Sequence, residues 1–331
     1  MRRINLIHTL LICLVAGFAN AQVTQNVIVE HFTNTNCSVC GSRNPGFYTN
    51  LNQNPSIRHI AYHPSSPYAS CFFSKQNKIE NDDRTKYYGV FGGTPRLVIQ
   101  GAAISASTDY ASSSIFDAFL AKTTPVQIKT RIALKGSDSI SVTVVIINSE
   151  AHTLGNLRLF AAVVEKEINF AAPNGEAKHH DVFRKSFFET IGKPITLSAN
   201  KNDSVVYQST VYKNAAWDNT KLYAIAIINR ESDKSLVQTE QSPILSTASG
   251  LNSLTSQSFE VYPNPTSNQL TINLLNYFVG NLRIVDLTGK VVKEHTDFAG
   301  GDIDVSNLVK GIYLVQLGNN EQWLSKKFIK Q

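Results

Sequence analysis

The feature that most constrains this chain is a Cys-x-x-C motif, Cys37 to Cys40, that lies between an apolar segment and a stretch with helical spacing. Residues 26–32 are rich in β-branched side chains, which is typical of a strand. After the motif, Phe47 and Leu51 are four residues apart, and Pro45 predicts a nearby helix start. Two cysteines three apart on a first helical turn share a face, so their sulfur atoms can meet. Because a helix N-terminus stabilises a thiolate, this arrangement predicts redox chemistry.

A second segment, residues 87–101, places Pro95 at the head of an apolar strand. Proline cannot donate to a strand ladder, so it belongs at the strand entry. The order of strand, Cys-x-x-C, helix and Gly-Thr-Pro before a strand resembles the thioredoxin superfamily over roughly residues 24–122. The resemblance implies a cis Thr94-Pro95 bond that faces the cysteine pair. It also implies that Cys37 is the nucleophile and that Cys40 resolves the mixed disulfide.

The resemblance also suggests a role for Glu30, which lies on the strand that leads into the cysteine turn. Thioredoxins often keep a buried carboxylate there, which takes the proton of the resolving thiol. Glu30 is therefore a candidate proton shuttle, although it stands one residue further from the motif than is usual. An ordinary strand carboxylate is the alternative. Asn36 also replaces the tryptophan that commonly precedes the first cysteine, so a purely structural disulfide stays open as an explanation of the motif.

The N-terminus, residues 1–21, reads as a signal peptide. Arg2 and Arg3 precede the mostly apolar residues 6–18, and Ala-Asn-Ala at 19–21 is a small-x-small cleavage site. Its removal would lower the net charge from +6 to +4. The remaining basic residues are scattered, which argues against nucleic-acid binding. The apolar stretch is too short to span a membrane, and we expect no transmembrane segment after the signal is removed.

Removal of the signal also removes one of the four cysteines and leaves an odd count in the mature chain. Disulfides are permitted outside the cytoplasm, so the odd count means a leftover thiol, an intermolecular bond or exchange among the three cysteines. Cys71, which stands between Ser70 and two phenylalanines, is the cysteine outside the motif. It reads either as a buried free cysteine or as a third partner in redox exchange.

The hydrophobic pattern divides the 331 residues into several units. Residues 22–123 alternate strands with helices, the latter expected at 74–88 and 110–121, which predicts an α/β thioredoxin-like domain. Residues 124–241 alternate apolar and polar positions and predict an all-β sandwich, with 169–190 as an excursion between strands. Residues 242–258 are rich in Ser and Thr and read as a linker. Residues 259–331 contain short strands with tight turns and predict a small β-sandwich.

This last unit resembles the type A C-terminal sorting domain of the type IX secretion system of Bacteroidetes. The matching motifs are Tyr-Pro-Asn-Pro at 262–265, Asp-Leu-Thr-Gly-Lys at 286–290, Leu-x-x-Gly-Ile-Tyr at 308–313 and a basic end at 326–330. The resemblance implies that the type IX machinery exports the chain across the outer membrane. It also implies a cell-surface or extracellular location.

Residues 24 to about 245 look like the Omp28-related outer-membrane protein family. The resemblance rests on Glu-x-Phe-Thr at 30–33, Arg84 with the following Tyr-Gly-Val at 88–90, Gly-Thr-Pro at 93–95, and residues 180–185. It implies no specific reaction, so the chemistry has to be argued from the cysteines.

The sequence contains few motifs for chemistry other than that of the cysteines. We find no Ser-His-Asp framework, no Gly-rich phosphate loop and no readable carboxylate pair, and we predict no cofactor and no metal. The cluster of His179 and His180 with Glu176 and Asp181 could bind a metal, but a surface loop or a domain contact is the simpler interpretation. In that interpretation Arg184 and Lys185 are solvated or paired with the two acids, and we place no catalytic role on His59 or His63.

Two functions remain after this reasoning. The leading hypothesis is thiol-disulfide exchange with extracytoplasmic protein thiols or disulfides, with Cys37 attacking, Cys40 resolving, and Thr94 and Pro95 positioning the partner. The alternative is a surface binding or adhesion protein that uses the thioredoxin fold as a scaffold and the disulfide as a staple. Its partner would be another surface protein.

Overall fold

The computed structural model describes residues 23–245, 259–274, 280–298, 300–318 and 323–331. Three α-helices lie in the first of these ranges: α1 (Ser38–Gln53), α2 (Phe72–Gln76) and α3 (Lys78–Tyr87), with short 3₁₀-helices at Ser113–Phe119 and Asn219–Lys221. The strands up to residue 124 are β1 (Val23–Thr24), β2 (Ile28–Phe32), β3 (Arg58–Tyr62), β4 (Arg96–Ile99), β5 (Ala102–Ala103) and β6 (Thr123–Thr124). Those that follow are β7 (Val126–Lys135), β8 (Ser139–Asn148), β9 (Leu157–Asn169), β10 (Lys178–Ser186), β11 (Lys193–Ile195), β12 (Ser204–Tyr212), β13 (Leu222–Arg230) and β14 (Leu236–Gln241).

The main architectural feature is a nine-stranded sheet with the order β14-β13-β9-β10-β3-β2-β4-β5, in which β11 also pairs with β9. Strands β2 and β3 are parallel, and so are β3 and β10. The sheet therefore runs from the N-terminal unit (residues 23–123) into the middle unit (residues 124–241). The predicted boundary at residue 123 separates two patterns of sequence, but it does not separate two sheets.

Alternation along β2 sends its side chains to opposite faces of this sheet. Val29 packs with Phe47 of α1, whereas Ile28 packs with Tyr88 and Val90, at and beyond the end of α3. The helices of the N-terminal unit thus cover both faces. In the middle unit a three-stranded sheet, β12-β8-β7, packs on β9 and β13 through a core of aliphatic side chains, as the predicted sandwich requires.

Several predicted elements agree with the structure, and others need correction. The strands expected at 58–62 and 96–99 are β3 and β4. The helix expected at 74–88 is instead two helices, because Asn77 adopts an extended φ of −154° and donates its side-chain amide to the Arg184 carbonyl oxygen. The helix expected at 110–121 is only the short 3₁₀-helix at Ser113–Phe119. Pro45, expected near a helix start, lies inside α1, where it removes one backbone hydrogen bond.

The predicted excursion at 169–190 was wrong in its central part, because Lys178–Ser186 form the strand β10. This strand carries mainly polar side chains, so its sequence lacks the apolar alternation that signals a strand. Its backbone nevertheless pairs with β9 on one side and β3 on the other. The polar side chains are held by specific partners, which are described below.

The C-terminal segment forms the expected small sandwich. Its strands are β15 (Phe259–Tyr262), β16 (Gln269–Leu274), β17 (Gly280–Asp286), β18 (Val291–Phe298), β19 (Gly301–Asp304), β20 (Gly311–Gly318) and β21 (Trp323–Lys330). They form two sheets, β15-β16-β19 and β18-β17-β20-β21, around one apolar core. The predicted signal peptide and residues 246–258 of the predicted linker lie outside the described residues. Within the described part of the chain, no helix has the length and apolar character needed to cross a bilayer.

Candidate functional site

The two cysteines of the motif form a disulfide at the N-terminus of α1. Cys37 is the N-cap residue, and its Sγ accepts a hydrogen bond from the Cys40 backbone N–H at 3.1 Å. The Cα atoms are 5.2 Å apart, which is ordinary for a disulfide. The expectation that the two sulfur atoms meet on the first helical turn is confirmed. Negative charge that develops on Cys37 Sγ would be stabilised there by the helix N-terminus.

The predicted Gly-Thr-Pro segment lies against this disulfide. The Thr94-Pro95 peptide bond is cis, as the resemblance implied, and Pro95 leads directly into β4. Cys37 Sγ lies 3.4 Å from the Thr94 carbonyl oxygen. The tertiary structure therefore brings Thr94 and Pro95 to the Cys37–Cys40 pair, although more than 50 residues separate the two segments in the sequence.

Both cysteines are covered: Cys37 is 1% exposed and Cys40 is fully buried. The β9–β10 hairpin, which comprises both strands and the connecting residues 170–177, contacts the turn that carries Cys37. Asn174 in this connection donates its side-chain amide to the carbonyl oxygens of Asn34 (3.2 Å) and Cys37 (3.3 Å). The Asn174 backbone N–H donates to the Thr35 carbonyl oxygen at 3.1 Å. One residue of the middle unit thus binds the turn on both sides of the first cysteine.

Gly41, directly after the motif, shows how closely the hairpin approaches. A Cβ atom built at this position would lie 2.1 Å from the Asn174 carbonyl oxygen, so no larger residue fits without displacement of the hairpin. A second contact lies one turn further along α1, where Asn44 donates to a Glu176 carboxylate oxygen at 2.8 Å. The sequence analysis missed Asn174, and it named Glu176 only as part of a possible metal cluster. The glycine after Cys40 is the signal that could have indicated a close approach of backbone there.

Glu30 is not part of this site. Arg84 donates to both of its carboxylate oxygens (2.7 and 2.9 Å), and the Tyr88 hydroxyl donates to one of them at 2.6 Å. On β2, Glu30 alternates with Val29, whose side chain packs on α1, so the carboxylate points to the opposite face of the sheet. The expected proton transfer between Glu30 and the resolving thiol has no geometric basis. The alternative, a structural carboxylate on the strand, fits the observed ion pair.

Cys71 is a buried free thiol, as one of the two interpretations predicted. It stands directly before α2, and the Thr35 hydroxyl donates to its Sγ at 3.2 Å. The same hydroxyl accepts a hydrogen bond from the Phe72 backbone N–H at 3.2 Å. Cys71 therefore anchors the segment before α2 to the cysteine turn.

The two histidines of the predicted polar cluster lie on β10 rather than on a loop, and both contact the N-terminal unit. The His180 ring packs on Tyr48 of α1 with centroids 4.6 Å apart. The His179 ring packs on Phe73 of α2 at 4.9 Å, and its Nε2 lies 3.0 Å from the Phe170 carbonyl oxygen. The interpretation as a domain contact is confirmed, whereas the interpretation as a surface loop was wrong. No group of three or more potential metal ligands occurs among the described residues.

The basic residues that follow pair with acids other than those expected. Arg184 forms a buried ion pair with Glu165 at 2.7 Å, and Lys185 pairs with Glu80. Asp181 instead accepts from His59 Nδ1 (2.9 Å) and from Lys166 Nζ (2.9 Å).

Asp181 and His59 line a cleft of about 230 Å³ between α1 and the sheet. Burial alone would raise the pKa of Asp181, but the hydrogen bond and the charge of His59, together with Lys166, hold it below its usual value.

Burial also fixes the state of two further histidines. It holds the pKa of His63 well below its usual value, and nearby His179, His31, Arg184 and His59 lower it further. The pKa of His31 is likewise well below its usual value, first because of burial and then because of His59. Both imidazoles are therefore neutral at pH 7. The structure places His63 beside Phe73 and His179, which are part of the contact between the two units.

Comparison with known proteins identifies the C-terminal unit. Residues 260–331 match the family of secretion system C-terminal sorting domains. This confirms the sorting tail, and the protein is accordingly secreted across the outer membrane to the cell surface or the extracellular space. A search of curated protein sequences found no match.

Two solved structures from Porphyromonas gingivalis are similar to this chain. HBP35 aligns over 93% of this chain and 99% of its own, with a TM-score of 0.56 and 15% identity. A domain of the outer membrane lipoprotein Omp28 aligns over 37% of this chain and 89% of its own, with a TM-score of 0.29 and 14% identity. The overall fold is therefore shared with HBP35.

Proposed function

We propose that the protein is a secreted, thioredoxin-like protein that exchanges disulfides with extracytoplasmic proteins through Cys37 and Cys40. One observation carries this proposal. The Cys-x-x-C disulfide lies at a helix N-terminus, and Cys37 Sγ is 3.4 Å from the carbonyl oxygen of Thr94, the residue before the cis-proline. The strand, helix and cis-proline order around the pair supports the thioredoxin-like character of the N-terminal unit. The sorting domain delivers this chemistry to the cell surface.

In this proposal the reaction is a two-step exchange. In the reduced protein the Cys37 thiolate attacks one sulfur atom of a partner disulfide, which forms a mixed disulfide and releases one partner thiolate. The Cys40 thiolate then attacks Cys37 Sγ and releases the second partner thiolate, which takes up a proton. The Cys37–Cys40 disulfide is formed as the partner is reduced by two electrons. The reverse sequence oxidises a partner dithiol.

The first test is the activity of the mature chain, from residue 22, in reduction of insulin by dithiothreitol. We expect Cys37→Ser to abolish the catalysed rate because it removes the attacking thiolate. Cys71→Ser is the matched control, since this buried thiol lies outside the disulfide, and it should retain the wild-type rate. Equal rates in wild type and Cys37→Ser would contradict the proposal.

A second candidate function is supported by the burial of both sulfur atoms and by the absence of Glu30 from the site. In this alternative the disulfide staples the turn of a non-enzymatic surface binding protein. A redox titration with thiol alkylation, read by mass spectrometry, separates the two. A couple between about −120 and −270 mV is typical of exchange proteins, whereas a couple below about −300 mV is typical of a structural disulfide.

A further inference from the structure

The contact between the β9–β10 hairpin and the cysteine turn combines two features that the proposed exchange does not use. The tip of the hairpin, residues 170–177, binds the backbone on both sides of Cys37, and the rings of His63 and His179 lie near its base. We propose that the tip of the β9–β10 hairpin is a pH-dependent cover, which shields the Cys37–Cys40 disulfide at neutral pH and lifts from it when the histidines near its base are protonated. This inference deepens the proposed function, because it concerns access to the same disulfide.

Asn174 makes the polar contacts between the tip and the cysteine turn. Its three hydrogen bonds to the backbone of residues 34, 35 and 37 hold the tip over the turn. Its carbonyl oxygen occupies the space in which any side chain at position 41 would begin. Cys37 is only 1% exposed with the tip in this position. In the proposal, movement of the tip opens the approach of a reductant to Cys37 Sγ along the S–S axis.

The apolar part of the contact explains why the cover is seated at neutral pH. Phe170, the first residue of the connection, stacks on Phe72 with centroids 4.2 Å apart. Phe73 packs on His179 at 4.9 Å and on His63 at 4.7 Å. Uncharged imidazole rings contribute to this packing as aromatic side chains do, so neutral histidines stabilise the closed hairpin.

Protonation reverses this contribution. His63 and His179 have ring centroids 6.4 Å apart, and Arg184, which lies over the Phe73 ring, adds a permanent positive charge. Arg184 is already paired with Glu165. His63 also faces the rings of His31 and His59. Glu176 is the acid that faces His179, and both of its oxygens accept from asparagine amides. A proton on either ring is therefore poorly solvated and repelled, and it is bound more tightly once the hairpin has opened.

The direction and size of the pH effect on the open fraction follow from the linkage between proton binding and opening. The closed form excludes the proton, whereas an exposed histidine binds it with a pKa near 6.5. Between pH 7.5 and 5.5, each histidine that becomes exposed on opening should increase the open fraction about tenfold. The pKa of His179 is lowered by burial, in agreement with this direction.

The experiment measures disulfide reduction by a phosphine in the full mature chain. The phosphine attacks one sulfur atom, takes its oxygen from water and becomes the phosphine oxide, while the disulfide becomes two thiols. Rates at pH 7.5 and 5.5 are read by alkylation and mass spectrometry, and each is divided by the rate for an exposed peptide disulfide at the same pH. We expect the normalised rate to rise at least tenfold at pH 5.5 while the far-UV circular dichroism stays unchanged.

Two variant pairs separate the parts of the proposal. His179→Gln should reduce the pH dependence about tenfold, whereas His152→Gln, a half-buried histidine elsewhere in the middle unit, should leave it unchanged. Gly41→Ala should displace the tip and increase reduction at pH 7.5 about tenfold or more, and the neighbouring Ser42→Ala should not. Asn174→Ala removes the side-chain hydrogen bonds of the tip and serves if Gly41→Ala fails to fold.

A normalised rate that does not depend on pH would overturn the inference. So would equal rates in Gly41→Ala and Ser42→Ala, or faster reduction that appears only with loss of the circular dichroism signal. The phosphine rate does not require catalysis by this protein. Failure in the insulin assay together with a pH-dependent phosphine rate would therefore contradict the proposed exchange while retaining the cover.

Discussion

At the scale of single residues, the most informative side chains are the buried polar ones. Arg84 is the largest fully buried side chain among the residues that the structure describes, and it binds Glu30 through two hydrogen bonds. Its guanidinium also lies 4.1 Å from the centroid of the Phe160 ring, which belongs to β9. This one side chain therefore joins the N-terminal unit to the middle unit, and Glu30 is the counter-ion that makes its burial possible.

This arrangement predicts a large effect of Glu30→Gln on stability and a small effect on exchange. Removal of one partner of a buried ion pair leaves an uncompensated charge, which costs about 3–5 kcal/mol of unfolding free energy. Urea unfolding at pH 7 measures the loss. Glu189→Gln, a largely exposed side chain, is the control and should change stability by less than about 0.5 kcal/mol. A wild-type midpoint for Glu30→Gln would show that the carboxylate is not the required counter-ion.

The buried histidines predict how global stability depends on pH. The pKa of His31 and that of His63 are lowered in the folded protein, so the unfolded chain binds more protons below about pH 6.5. Stability is then fully present above that pH and falls as the solution becomes more acidic, by about 1.4 kcal/mol per pH unit for each histidine. Urea unfolding at pH 7.5, 6.5 and 5.5 tests this. A stability that rises on acidification would contradict the assignment.

At the scale of elements, α1 presents the cysteine pair at its start and holds its position through Phe47. This ring is fully buried among aliphatic side chains of β2 and β4, and it contacts the rings of His31 and Tyr110. Arg43, one turn earlier, donates to the carbonyl oxygens of Ala106 and Thr108. The site therefore depends on packing one to three turns away from the sulfur atoms.

We expect Phe47→Ala to destabilise the protein by about 3–5 kcal/mol, because it removes a buried aromatic ring and leaves a cavity. The loss should appear as a lower urea midpoint with an unchanged m-value. Tyr68→Ala, a partly exposed aromatic residue outside this core, is the control and should cost far less. A small effect of Phe47→Ala would mean that α1 is held mainly by its polar contacts.

At the scale of the whole molecule, the two units before the sorting domain form one body. The sheet continues from β3 into β10, and one apolar cluster combines side chains of β2 and β3 with those of β9 and β13. The sorting domain has a core of its own, built only from residues after 258. Stability should therefore follow these cores rather than the change of pattern at residue 123.

This leads to a prediction about fragments. Residues 22–123 alone should not fold, because β3 would lose its neighbour β10. The apolar cluster that β2 and β3 share with β9 and β13 would also be exposed to water. Residues 22–245 should unfold with the same thermal midpoint, within about 2 °C, as they do in the full mature chain. Thermal unfolding followed by circular dichroism, and the dispersion of amide proton chemical shifts in NMR spectra, measure both outcomes. A cooperatively folded 22–123 fragment would contradict the single-body description.

The sequence by itself determined the local features. The helix start at the Cys-x-x-C motif and the strands at 58–62 and 96–99 could be predicted, because each depends on adjacent residues. The cis Thr94-Pro95 bond and the sorting domain followed from motifs that resemble known families. β10 could not be predicted in this way, because its polar side chains are stabilised by partners such as Glu165 and His59, which are distant in the chain.

The same reason explains the role of Glu30 and the contact between the hairpin tip and the cysteine turn. Whether a carboxylate faces a thiol or an arginine depends on which face of the sheet it occupies and on what that face packs against. Similarly, only the tertiary pairing of β9 and β10 brings Asn174 onto Gly41, more than a hundred residues away. The sequence specified a cysteine pair at the start of a helix, but the long-range packing decided how far that pair is buried.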